Sequence, residues 1–420
     1  MPPENHTDPT RFNLMVSDLK RTTFRTWNVT PEDHPVFPRT YGMEEQAGNG
    51  RAMERLLAEA DRRSGKEEFD RGGAERLKTV VRRFLARTFD LSGFHGHGRF
   101  FDSCWKCSLQ FIQDARRFDP SISSEDIGQA LRNLLIVNSI QAYLGMEITV
   151  GPSAFAYSLL YPYTDNHLDD NSVSAAEKRH FLADVQKLLQ GERASPSKPL
   201  VRKVADLISM IESEYPRASF PDVYGSLLAI HRAQEKSLLE HHGPDDEDIL
   251  AISIEKGGTS VLADACLVTG TVPAGTAGFM FAYGAALQLI DDLQDISEDR
   301  RNSHSTLFAR QSSQEALEVT TNHLFNFTGR VLKQAERFPC GEAKALADFS
   351  GKSCFLLMFE AVARAKELYS GPYVESLERG SQLGFHYLGT LRDRLEAKYL
   401  APPATRSAER PLERAMRLFL

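Results

Sequence analysis

The strongest constraint on the fold is a period. In segment after segment the apolar residues recur at i, i+3, i+4 and i+7, which gathers them on one face of an α-helix. "AMERLLAEADRR", "ERLKTVVRRFLART", "SSEDIGQALRNLLIVNSIQAYLG" and "AAEKRHFLADVQKLLQG" all carry it. Further helices are expected near 198–213, 217–242, 246–270, 274–299, 313–337, 341–368 and 373–398. Alternating Val/Ile/Thr runs with Asn-Gly turns are missing, and no solenoid repeat stands out. Ser124 with Asp126 and Ser174 with Glu177 read as helix starts, the second as a capping box. The expectation is an all-α protein with one large helical domain over 46–400. A loosely ordered arm, 1–45, precedes it and a Pro-containing tail, 401–420, follows.

Bulk properties remove several functions. The net charge of −7 gives no general attraction to nucleic acid or to an anionic membrane. The start, "MPPENHTDPTRFN", lacks the basic and apolar regions of a secretory signal. The longest apolar stretch, 274–290, is interrupted by Gln288 and is too short to be a transmembrane segment. Five scattered cysteines make no disulfide framework, so a reducing, cytoplasmic setting is expected.

Two acidic stretches stand apart from ordinary surface helix. "LQLIDDLQDISED" places five acids within residues 291–299, with no base before Arg300. Asp291, Asp295 and Asp299 fall at i, i+4 and i+8, one column on a helix face, with Asp292 about 100° to the side. Going backwards, that face meets Leu287, Gly284 and Met280. The second stretch, "SAFAYSLLYPYTDNHLDDNS", puts Asp165 and Asp169 at i, i+4, with Asp170 adjacent and Tyr161, Ser158, Tyr157 and Ala154 behind them. Like charges at this spacing near a helix C-terminus are unfavourable. A hard divalent cation relieves them, and an oxygen-only donor set suits Mg²⁺ or Mn²⁺, which shares its shell with substrate phosphates. Acids holding metal, metal holding phosphate and an apolar wall holding hydrocarbon form one coherent design.

These residues resemble the class I isoprenoid synthase superfamily. Gln288 to Asp295, preceded by Tyr283-Gly284, is similar to the second aspartate motif of polyprenyl diphosphate synthases. Its extension through Asp299 is similar to the corresponding squalene and phytoene synthase segment. "DNHLDD" resembles the first Asp-rich motif of those head-to-head enzymes, and "EKGGTSVLADACLVTG" resembles the Lys-Thr-Gly helix start, with Lys256 in the lysine position. The resemblance implies an all-α bundle of the isoprenoid synthase type with a central apolar cavity. It implies catalytic carboxylates at Asp165, Asp169, Asp291 and Asp295, with metal ligation extending to Asp170, Asp292 and Asp299. Lys256, Arg232 and Arg300 would hold the diphosphate, while Tyr157, Tyr161, Gly284, Leu287 and Gln288 would line the pocket. The reaction implied is Mg²⁺-dependent ionisation of an isoprenyl diphosphate with release of diphosphate, as in terpene synthases.

Departures keep a prenyltransferase, head-to-head or chain-elongating, as the alternative. The Arg-Arg pair of chain-elongating enzymes is replaced by Lys178 and Arg179, placed further on, and Lys66 is a distant candidate for an early basic pocket. Tyr163 stands where head-to-head enzymes place an arginine, and the Asn/Ser/Glu triad of terpene synthases is answered by three aspartates. An all-α metal phosphohydrolase lacks its usual His-Asp dipeptide here, and a non-catalytic helical scaffold is the remaining option. Many members of the superfamily form helix-packed dimers, so a homodimer is one arrangement to expect. His167 points away from the Asp169 face. His95, His97, Cys104 and Cys107 have no familiar zinc spacing, and His304 reads as an ordinary loop histidine.

Overall fold

A computed structural model describes residues 9–61, 71–170, 172–192, 198–239, 246–272 and 274–399. Within them the chain is all-helical and contains no strand. The helices are α1 (Pro9–Asn28), α2 (Met43–Asp61), α3 (Arg71–Thr88), α4 (His97–Phe118), α5 (Ser124–Tyr143) and α6 (Pro152–Asp169). They continue with α7 (Ala175–Gln190), α8 (Pro199–Glu214), α9 (Pro221–Leu239), α10 (Asp246–Thr269) and α11 (Ala274–Gln294). The last are α12 (Ile296–Asn302), α13 (Gln314–Gln334), α14 (Ala343–Arg364), α15 (Gly371–Glu378) and α16 (Phe385–Tyr399). The tail 401–420 and Lys66 lie outside the described residues.

Where a single helical domain is expected over 46–400, the chain divides into two compact units. One combines residues 1–28 with 113–288; the other combines 29–112 with 289–420. Both boundaries after the first fall inside helices, in α4 and α11.

In the first unit α10 packs on α9, α5 and α6, with α6 also against α8 and α7 against α8 and α9. α5 is buried on nearly all sides, which fits its weak polar face: Ile127, Leu131, Leu134 and Ile140 are at most 1% exposed. Its start is set by a capping box at Ser123 and Asp126, one residue earlier than the Ser124 start read from the sequence. The box at Ser174 and Glu177 opens α7 as expected.

Residues 9–28 correct the expectation of a loose arm: they are α1, packed on α9 and α10. Phe12, Val16, Thr23 and Trp27 are buried along one face. Polar neighbours dilute this spacing, so composition hides a helix that its partners stabilise. Phe12 lies against Gly225 of α9, where a side chain would collide with the ring.

α10 and α11 meet backbone to backbone. A methyl group on Gly257 would overlap the Gly284 carbonyl, and one on Gly284 would overlap the Gly257 carbonyl. Glycine is needed at both positions because only hydrogen fits between the helices.

In the second unit α2 pairs with α3, and α14 packs on α13, α15 and α16. One core cluster there gathers Met53, Leu56, Leu77, Val81, Phe84, Phe101, Trp105 and Leu391. The single helix expected over 373–398 is broken between Glu378 and Phe385. Ser381 bonds the local backbone, and Gln46 caps carbonyls of Glu378 and Ser381.

Candidate functional site

The first acidic stretch closes α6. Asp165 is 8% exposed although it carries a carboxyl group. Gln234 of α9 donates its amide N–H to Asp165 Oδ1, and the Tyr161 hydroxyl, one turn earlier on α6, also hydrogen-bonds this carboxylate. Burial pushes the Asp165 carboxyl up to about 6; the charge of Lys256 on α10 opposes this, and Asp169 reinforces it. Asp169 itself is exposed.

Asp170 behaves differently from a member of the column. It ends α6 in an extended conformation, and its Oδ1 accepts the Ser172 backbone N–H at 2.7 Å. That turn holds its carboxyl below the usual carboxylate range. Pro162 lies inside α6 and has no N–H to give the Ser158 carbonyl.

The second stretch spans a helix break that leaves its register intact. α11 ends at Gln294, and Asp295 has φ −95° and ψ 6° before α12 begins. Even so, the Asp295 N–H donates to the Asp291 carbonyl at 3.0 Å, and the Asp299 N–H donates to the Asp295 carbonyl at 2.8 Å. Asp291, Asp295 and Asp299 therefore remain a column. Burial pushes Asp295 up to about 7, with Asp291 and Asp299 adding repulsion and Arg392 relieving it. Asp299, 8% exposed, is raised chiefly by burial. Thr306 Oγ1 donates to its Oδ2 at 2.9 Å, and His304 Nδ1 is 3.6 Å from its Oδ1. Asp292 is buried on a different side of α11.

Several sequence expectations meet other roles. Arg300 donates to the carbonyls of Ala309 and Gln311 at 3.2 and 2.9 Å, bracing the loop after α12. Arg232 turns toward α1 and donates to Asn13 Oδ1 at 3.0 Å; two positions from Gln234, it points to the opposite side of α9. Tyr161 is 36% exposed and serves Asp165 instead of an interior wall, whereas Tyr157 is buried, its hydroxyl donating to the Ser260 carbonyl at 3.4 Å. Gly284 forms the crossing with Gly257, and Gln288 stands beside the same glycine. Leu287 is half-buried. Of the expected diphosphate holders, the one whose charge acts on an acidic stretch is Lys256.

Sequence reasoning missed Gln234, Glu360 and Arg392. Gln234 is uncharged and sits in a stretch that also carries Arg232, Glu235 and Lys236, so nothing in its pattern marks it. Glu360 of α14 is 9% exposed; its Oε2 accepts the Gln294 amide N–H at 3.0 Å, and Arg364 lies 3.6 Å from Oε1. Arg392 of α16 acts on both Glu360 and Asp295 from about a hundred residues downstream of the motif.

Among the described residues, no three His, Cys, Asp or Glu side chains converge to hold a metal ion. The carboxylates thus make no preformed cage. Their donor chemistry nevertheless fits Mg²⁺, which takes one or two carboxylates and completes its shell with water and phosphate. Among the described residues the alternative zinc set does not assemble either: Cys104 and Cys107 are buried in α4, and His97 Nδ1 faces the Phe94 carbonyl. His167 packs edge-on against Phe181. No described helix is long and apolar enough to cross a membrane. Compared with protein-family models, with curated proteins and with solved structures, the chain matches none.

Proposed function

We propose that this chain is an enzyme that ionises an isoprenyl diphosphate in the presence of Mg²⁺ and releases diphosphate, in the manner of a class I terpene synthase. The observation that carries the reading is the second column. Asp291, Asp295 and Asp299 stay in register across a helix break, at the end of a helix whose preceding turns are apolar. A structural helix end has no need to keep three carboxylates aligned through such a break. Asp165, crowded by Asp169 and approached by Lys256, supports it.

In this reading Asp165 and Asp169, and separately Asp291, Asp295 and Asp299, are the groups that would hold Mg²⁺. Bound there, the metal would supply Lewis-acid neutralisation of the leaving diphosphate. Lys256 contributes a fixed positive charge for a phosphate oxygen. Gln234 and Tyr161 orient the Asp165 carboxylate. Tyr157, buried in α6, presents a ring to a developing allylic cation and excludes water from it.

The test is incubation with geranyl, farnesyl and geranylgeranyl diphosphates, each alone and with Mg²⁺, following diphosphate release and the extracted products by mass spectrometry. Release from a single substrate supports the reading. Turnover only when isopentenyl diphosphate is added, or a coupled product, identifies a prenyltransferase. Absence of release under all these conditions refutes both.

A further inference from the structure

Deep in the first unit lies a carboxyl group that this mechanism does not use. Asp264, on α10, is 0% exposed. Asn133 of α5 donates to its Oδ1 at 3.0 Å, and the same amide group donates to Ser158 Oγ of α6 at 3.1 Å. Asp264 Oδ2 is buried and has no hydrogen-bond partner among the described residues. The nearby Tyr157 hydroxyl does not serve it, being directed to the Ser260 carbonyl. Burial raises the Asp264 carboxyl well above the usual carboxylate range, and Asn133 offsets this only in part.

Its place along α6 is informative. Ser158 precedes Asp165 by seven residues, about two helical turns or roughly 10 Å inward from the acidic end. Three helices thus hold a polar group in fixed orientation inside an apolar interior. A buried polar atom left unpaired is costly, so it is ordinarily matched by a partner. A neutral carboxyl both donates and accepts, and a hydroxyl is its complement.

We propose that Asp264, positioned by Asn133 and Ser158, is a specificity-determining residue that takes an uncharged hydroxyl on the inner end of the isoprenoid. The inference rests on the diphosphate reading above and narrows its substrate class to chains oxygenated at the end remote from the diphosphate. Asp264 holds that hydroxyl, and a plain hydrocarbon terminus leaves Oδ2 unpaired.

The test uses unreactive thiolodiphosphate analogues with Mg²⁺ and isothermal titration of the full chain. Farnesyl and geranylgeranyl thiolodiphosphates are compared with the same molecules bearing a terminal ω-hydroxyl. Wild-type protein should prefer the hydroxylated analogue of one chain length by about tenfold or more, because a site built for a hydroxyl discriminates against its absence. Asp264→Leu should erase the preference, bringing the affinities for the plain and hydroxylated analogues together. Asp264→Asn, which still donates and accepts, should retain part of it. Asp264→Ala replaces the leucine variant if leucine overpacks the site. Equal affinities in wild type, or a preference that survives Asp264→Leu and Asp264→Ala, overturn the proposal but leave the diphosphate reading standing. If no analogue binds wild type, both fall.

Discussion

Asp295 illustrates how one buried acid couples charge to stability. An aspartate in an unfolded chain titrates near ~4, whereas burial and the neighbouring Asp291 push Asp295 up to about 7. The folded protein therefore binds more protons than the unfolded chain across that interval. Its stability is greatest below the unfolded value and declines as pH rises through the folded one. In metal-free buffer, thermal melts from pH 4 to 7.5 should show a smaller pH-dependent decline in Asp295→Asn than in wild type; identical slopes would refute the crowding. Millimolar Mg²⁺ with inorganic diphosphate should raise the wild-type melting temperature near pH 7.5 and do so much less in Asp295→Ala, since a ligand of the native state stabilises by mass action. Lys256 makes a separate prediction. If its charge serves a phosphate, Lys256→Met should lower kcat/KM on the preferred prenyl diphosphate by about a hundredfold, comparable with losing one fixed donor. Unaltered kinetics would remove it from the site.

Individual helices show what periodicity reveals and what it conceals. The span 175–190 was legible because apolar period and capping box agreed, and 124–143 was legible from its period, with its cap one residue earlier than the Ser124 read from the sequence. α1 was not, because its buried face alternates Phe12 and Val16 with a lysine and a threonine, and becomes coherent only against α9 and α10. Lys20 on that face is ion-paired with Glu255 of α10, a partner 235 positions away. The acid columns were legible because i, i+4 spacing is local. Gln234 and Arg392 were not, since what identifies each is a neighbour distant in sequence. Two substitutions test the element packing. Gly284→Ala should destabilise the protein by about 1–3 kcal/mol through overpacking against the Gly257 carbonyl. Phe12→Ala should cost about 3–5 kcal/mol by emptying the site over Gly225. Calorimetry reads both, and a Gly284→Ala protein with an unshifted melting temperature would disprove the close crossing.

At the scale of the whole molecule, the all-α class was readable, whereas the helix within the N-terminal arm and the division of the chain were not. Nothing in composition marks residues 28, 112 or 288 as boundaries, and two of the three lie within continuous helices. The two tryptophans fall one to each unit, Trp27 and Trp105, and both are buried. In urea, Trp105→Phe leaves fluorescence reporting the first unit, and Trp27→Phe leaves it reporting the second. Because hydrogen-bonded helices run through the boundaries, each variant should show a fluorescence midpoint coincident with its own far-ultraviolet circular dichroism midpoint. Separated midpoints would show that the units melt independently. The threading of the units also bears on how the protein is born. On the ribosome, α1 emerges well before its partners α9 and α10, which are not made until residues 221–269 appear. The stretch from 29 to 112 must likewise wait for the segment after 288. Each unit can therefore complete its core only after segments distant in the chain have been made, and apolar surface on the earlier segments stays uncovered until then.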